Sequence, residues 1–101
     1  MAKNPEALFL TAVGDRHRMR ILNLLIEKPM SVKTLSKSLK IEQSNLSHHL
    51  KCLFDCKFVD VNVKGRNRMY SINPSIKKII APFNSYIRDY GAYLKTCKES
   101  S

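Results

Sequence analysis

Leucine and isoleucine return every three or four residues through the first half of the chain, the period at which one face of a helix is buried. After Asn4-Pro5, the apolar positions Leu8, Phe9, Ala12 and Val13 predict a short first helix ending near Gly14. A second helix starts at Asp15, carries Met19, Leu22, Leu25 and Ile26, and stops before Pro29, whose ring cannot continue the hydrogen-bond ladder. Ser31 is placed to cap a third, with Val32, Leu35 and Leu39 on its apolar side. A turn over Lys40, Ile41 and Glu42 leads into a fourth, which begins near Gln43 and carries Leu46, Leu50 and Leu53. Two short helices joined by so tight a turn are the signature of a helix-turn-helix.

The period then changes to two. Val59, Val61 and Val63 alternate with Asp60 and Asn62 within residues 58–63, and Tyr70 and Ile72 alternate with polar residues within 68–73. Lys64-Gly65-Arg66-Asn67 joins the two runs into a hairpin with a basic tip, the form of a wing. Asn73-Pro74 opens a last helix, with asparagine as cap and proline in the first turn, where its missing donor costs nothing. Ile76, Ile80, Phe83, Ile87, Tyr90 and Leu94 step along it by four and three, the spacing of a helix-to-helix seam. A domain this small has little core for so long a stripe to cover, so the stripe is read as a dimer interface. Pro82 lies off the stripe and is expected to kink or interrupt the helix.

Charge narrows the function. Eighteen Lys and Arg against eight Asp and Glu give a formal charge of +10 over 101 residues, which favours a polyanionic partner, nucleic acid before an acidic membrane. No apolar run approaches a membrane span and the N-terminus has no secretory layout, so a cytoplasmic location is expected. There is no Ser/His/Asp set, glycine-rich phosphate loop or carboxylate pair at a plausible spacing, which argues against an enzyme. On the fourth helix, Gln43, Ser44, Asn45, Ser47, His48 and Lys51 lie away from the leucine face, with side chains suited to base edges and phosphates. The cations Lys64, Arg66 and Arg68 of the wing suit the DNA backbone or minor groove and give salt-dependent affinity, with Arg18 and Arg20 as further cations.

Three blocks, GDRHRMRILNLL, SVKTLSKSLKIEQSNLSHHLKCL and VKGRNRMYSIN, resemble the ArsR/SmtB family of metal-responsive repressors. They correspond to its Asp-x-x-Arg helix start (Asp15, Arg18), its helix-turn-helix ending in a Ser-x-His-Leu run (Ser47, His49, Leu50), and its wing. The chain departs from that pattern at Arg16, usually proline, at Glu42, usually a better capping residue, and at Lys57, usually glycine. The expected fold is therefore mainly α with a β-hairpin, a winged helix-turn-helix dimeric through its N- and C-terminal helices. One domain is expected over 1–101, with the helix-turn-helix at about 31–56, the wing at about 58–73 and the dimerisation helix at about 74–96.

Three cysteines in a reducing compartment are an unlikely disulfide framework. Cys52 and Cys56 lie on adjacent turns of the fourth helix, where two thiolates can share one soft metal ion or simply fill small buried positions. Cys97, in a polar tail with no core to fill, is the natural third ligand. His49, between the pair in projection, is read as a DNA-side or packing residue before a fourth ligand. The cadmium- and lead-sensing CmtR branch of the family has two such cysteines plus one near the C-terminus, and this resemblance implies Cys52, Cys56 and Cys97 as the metal ligands. Cadmium or lead is then the first expectation, with zinc or arsenite as further possibilities. The resulting reading is a repressor released from double-stranded operator DNA by a soft metal. Its rivals are a redox-responsive or metal-independent regulator using the same scaffold, and a winged-helix module for protein contacts.

Overall fold

The structure, a computed structural model, describes residues 4–97. The chain order is α1 (Pro5–Val13), α2 (Arg16–Glu27), β1 (Met30–Ser31), α3 (Val32–Leu39), α4 (Gln43–Asp55), β2 (Val59–Lys64), β3 (Asn67–Ile72) and α5 (Pro74–Leu94). Four helices begin where a short polar side chain satisfies a first-turn N–H. The side-chain oxygen of Asn4 accepts from Ala7 N at 3.1 Å, that of Asp15 from Arg18 N at 3.0 Å, that of Ser31 from Thr34 N at 3.1 Å, and that of Asn73 from Ser75 N at 2.9 Å. Each such cap stabilises its helix by about 1 kcal/mol. α4 is the exception: Glu42 precedes it without a capping bond, its carboxylate accepting instead from Ser44 Oγ at 2.6 Å.

Ile21, Leu22 and Leu25 of α2, Leu35 of α3 and Leu46, Leu50 and Leu53 of α4 are sealed from solvent and form the centre of the core. Phe58, Val59 and Tyr70 add the inner face of the hairpin to it. Truncating one of these leucines to alanine would cost about 2–5 kcal/mol, lost transfer energy plus the cavity left behind. β2 and β3 pair antiparallel from Val59 opposite Ile72 to Lys64 opposite Asn67, with Gly65 at φ 62 supplying the left-handed residue of the tip. This mainly helical chain with its hairpin is a winged helix-turn-helix, as the periodicities imply.

Three features differ from the sequence reading. A two-residue strand, β1, pairs with β3 through Met30 opposite Tyr70 and Ser31 opposite Met69, giving a three-stranded sheet of order β1-β3-β2. Two residues are too few to show an alternation, and their partner lies far along the chain. Pro82 does not interrupt α5, which runs unbroken to Leu94. Proline leaves one carbonyl a turn earlier without its helical donor, and here Pro82 and Lys78 both face solvent, where water can serve that group. Finally, the α5 stripe divides: Ile76 and Ile80 are buried in the chain's own core, whereas Phe83, Ile87, Tyr90 and Leu94 remain exposed. α5 departs from the body beyond its first two turns, keeping a polar tie from Asn84 Nδ2 to Asn23 Oδ1 of α2 at 2.7 Å.

Candidate nucleic-acid interface and cysteine site

Helix geometry separates the two sides of α4 cleanly. Leu46, Leu50 and Leu53 point into the core, while Gln43, Ser44, Asn45, Ser47, His48 and Lys51 are all exposed. Lys51 Nζ lies 2.9 Å from Asp55 Oδ2 in an open pair one turn along, so its ammonium is held close to the helix. Lys64, Arg66 and Arg68 are exposed on the wing. Arg66 and Arg68 meet Lys33 and Gln43 around a crevice of about 250 Å³ that runs from the start of α3 to the hairpin. One surface thus combines hydrogen-bonding side chains on a protruding helix with cations on either side, the combination that reads base edges and grips phosphates.

Arg18 and Arg20 do not belong to this surface. Arg20 Nη2 donates to the Leu39 carbonyl at 3.2 Å, serving the C-terminal end of α3. Arg18 Nη1 donates to Cys52 Sγ at 2.8 Å, across the seam between α2 and α4. No sequence spacing signals this contact, because the two residues are 34 positions apart.

The seam is unusually polar. Asp15 caps α2 and lies 4.0 Å from His49 Nδ1, and the rings of His17 and His49 sit 5.4 Å apart. His49 therefore points under α4 toward α2 and away from the exposed polar face. Its Nδ1, His17 Nδ1 and Arg18 Nε are buried without a hydrogen-bond partner. Burial pushes the His49 pKa down, outweighing the opposing pull of Asp15. The bond from the Arg18 N–H holds the Asp15 carboxyl below its ordinary value. Cys52 is half-buried and Cys56, the residue that closes α4, is exposed. Partial desolvation of its sulfur by the surrounding protein, although the residue is exposed, raises the Cys56 pKa, and the neighbouring Cys52 adds to that shift. Cys97 is exposed beyond the end of α5, and it does not join Cys52 and Cys56 within one chain. Among the described residues of a single chain, no three His, Cys, Asp or Glu side chains converge as metal ligands.

Residues 15–61 match the bacterial regulatory proteins of the arsR family. The arsenical resistance operon repressor of Staphylococcus xylosus is 33% identical over 73 residues, which are 72% of this chain and 70% of that protein. The chain belongs to the arsR family. A probable mercury resistance operon repressor of Streptomyces lividans is 26% identical over 92 residues, covering 90% of this chain and 74% of its own length. Among solved structures, the homodimeric winged helix-turn-helix DNA-binding domain Mb0332 of Mycobacterium bovis superposes with a TM-score of 0.71 at 20% identity, over 89% of this chain and 92% of that one.

The arsR family consists of transcriptional regulators, and the matched stretch runs from the cap of α2 into β2. It includes the whole exposed face of α4. Outside it lie α1 and α5, on which most of the exposed large apolar side chains gather. Leu8 and Leu10 of α1 are exposed, as are Phe83, Tyr86, Ile87, Tyr90, Tyr93 and Leu94 of α5, with Tyr93 at 73%. Tyr86, Tyr90 and Tyr93 form a row with neighbouring ring centroids 5.0 and 6.4 Å apart. Among the described residues, no helix is long and apolar enough to cross a membrane.

Proposed function

We propose that this arsR-family chain is a homodimeric, cytoplasmic repressor that leaves its operator when Cys52, Cys56 and Cys97 bind a soft metal ion. Cadmium or lead is the first effector, with zinc or arsenite able to use the same thiols. The observation that carries the reading is that Cys52 and Cys56 sit side by side on the same helix that presents Gln43, Ser44, Asn45, Ser47, His48 and Lys51, flanking that exposed face. An ion held there acts on the DNA-reading element itself. The relatives named for mercury and arsenical resistance support soft-ion chemistry. Two thiols from one chain are an incomplete set for such an ion, so the third comes from Cys97 of the second copy.

The exposed apolar faces of α1 and α5 supply the dimer contact, the arrangement that places two α4 helices about one DNA turn apart on a symmetric operator. Gln43, Ser44, Asn45, Ser47, His48 and Lys51 enter the major groove, and Lys64, Arg66 and Arg68 hold the backbone. Metal ligation across subunits favours a dimer geometry that fits the operator poorly. By linkage, DNA then weakens metal binding by the factor by which metal weakens DNA binding.

The test is an ultraviolet titration of the reduced dimer with cadmium, following the sulfur-to-metal charge-transfer band. One ion per chain, with a band diminished in Cys97→Ser, is the expected result. Absence of a band, or a band and endpoint unchanged in Cys97→Ser, would sink the three-cysteine site. Binding to bulk duplex DNA should fall steeply with added salt; affinity indifferent to salt would leave a protein-contact module.

A further inference from the structure

We propose that Arg18 is the counter-charge of the cysteine site, a positioning residue that makes the site prefer divalent soft cations over trivalent arsenic. The inference rests on the three-thiol reading above. Its starting point is an oddly placed cation. The guanidinium of Arg18 is half-buried, its Nε has no hydrogen-bond partner, and its Nη1 donates to Cys52 Sγ at 2.8 Å. Among the described residues no carboxylate stands within ion-pair distance of it. Asp15 feels its charge, but that carboxylate uses Oδ1 to cap the backbone N–H of Arg18. A cation withdrawn from water without a paired anion is destabilising. A sulfur that becomes anionic when the site fills would repay that cost.

Charge balance distinguishes the possible ions. Three thiols binding one divalent cation release three protons and form three metal–sulfur bonds, leaving a complex of net charge −1. Three thiols condensing with arsenous acid, As(OH)3, form three As–S bonds and release three waters, and the product is neutral. The fixed positive charge at 2.8 Å from Cys52 Sγ stabilises the first product and has no net charge to meet in the second. Arg18 also holds Cys52 from α2, fixing the sulfur's orientation as the partners of metal ligands do.

The experiment compares cadmium and arsenite affinities of the reduced dimer, by charge-transfer absorption and competition, in the unsubstituted chain and in three variants. Arg18→Gln and Arg18→Met, the second matching the length and helix propensity of the native side chain, should lose about 10–100-fold in cadmium affinity. Arsenite affinity should stay within about threefold, and that retained binding shows that the three thiols still assemble. Arg18→Lys, which keeps the charge, should restore most of the cadmium-to-arsenite ratio. Equal losses for both ions would mean a purely structural role and would overturn the inference, as would unchanged cadmium binding in the neutral variants. If the unsubstituted chain gives no sulfur-to-metal band with either ion, the sensor reading itself fails and takes this inference with it.

Discussion

At His49, two environmental effects oppose each other within one side chain. The ring lies 4.0 Å from the Asp15 carboxylate, which favours the imidazolium, yet its pKa is lowered because burial penalises that charge more. The unfolded chain, with His49 near its ordinary value, takes up the proton first as pH falls. The native state therefore keeps its full advantage from this residue above about pH 6.5 and loses it on acidification below that. Urea denaturation at pH 7.5 and pH 5.5 should show lower stability at the acid end, and His49→Gln should flatten that difference. An identical pH dependence in the variant would remove His49 as the cause. Asp15, also lowered, acts in a separate and more acidic window, supporting the fold above its ordinary carboxylate range and ceasing to do so below it.

At the scale of elements, the junction after α4 shows what a capping residue does when the chain lacks the usual one. Lys57 takes a left-handed conformation, φ 67, at the position where the family pattern has glycine. Asn73 then holds the junction twice, its Nδ2 donating to the Lys57 carbonyl at 2.7 Å and its Oδ1 capping α5. A side chain in that conformation costs about 1–2 kcal/mol, of which glycine's greater unfolded freedom returns about 0.5–1. Lys57→Gly should therefore stabilise the protein by about 1 kcal/mol, read as a raised denaturation midpoint; a lowered midpoint would mean that the lysine stem contributes packing that outweighs the strain.

The helices were legible in the sequence because their signals are local: Asn4, Asp15, Ser31 and Asn73 cap within three residues, and the leucines repeat within one helix. The exposed face of α4 follows from the same periodicity. What escaped was non-local or depended on the surroundings. β1 exists only through its partner Tyr70, and Arg18 acquires its role from Cys52 in another helix. The fate of the α5 stripe depended on where the core ends: Ile76 and Ile80 are buried in it, and Phe83, Ile87, Tyr90 and Leu94 are not. That Pro82 does not interrupt α5 depends on whether water reaches the carbonyl its missing donor leaves, which local periodicity does not show.

The molecule as a whole extends 49 Å along one axis against 25 Å along another, and beyond its first two turns α5 leaves its aromatic face bare. A face that combines Phe83, Ile87 and Tyr90 with the tyrosine row is large for a surface left to water. The dimer proposed on it can be broken by charge. Ile87→Glu with Tyr90→Glu should sediment as a monomer while keeping its helical signal. Its affinity for a two-half-site operator should fall by at least about 100-fold, since each half-site is then bound singly. A dimer that survives both substitutions would place the interface elsewhere.

The short pairing of Met30 and Ser31 with β3 has a further consequence for how such a dimer lets go of DNA. The residues that lead into α3 are paired with the strand that returns from the wing tip, which ties the base of the hairpin to the helix-turn-helix. A tilt that levers α4 off the groove floor carries the wing's cations with it. In the repressor proposed above, an ion held beside α4 would then loosen the sequence-reading helix and the phosphate-gripping wing together.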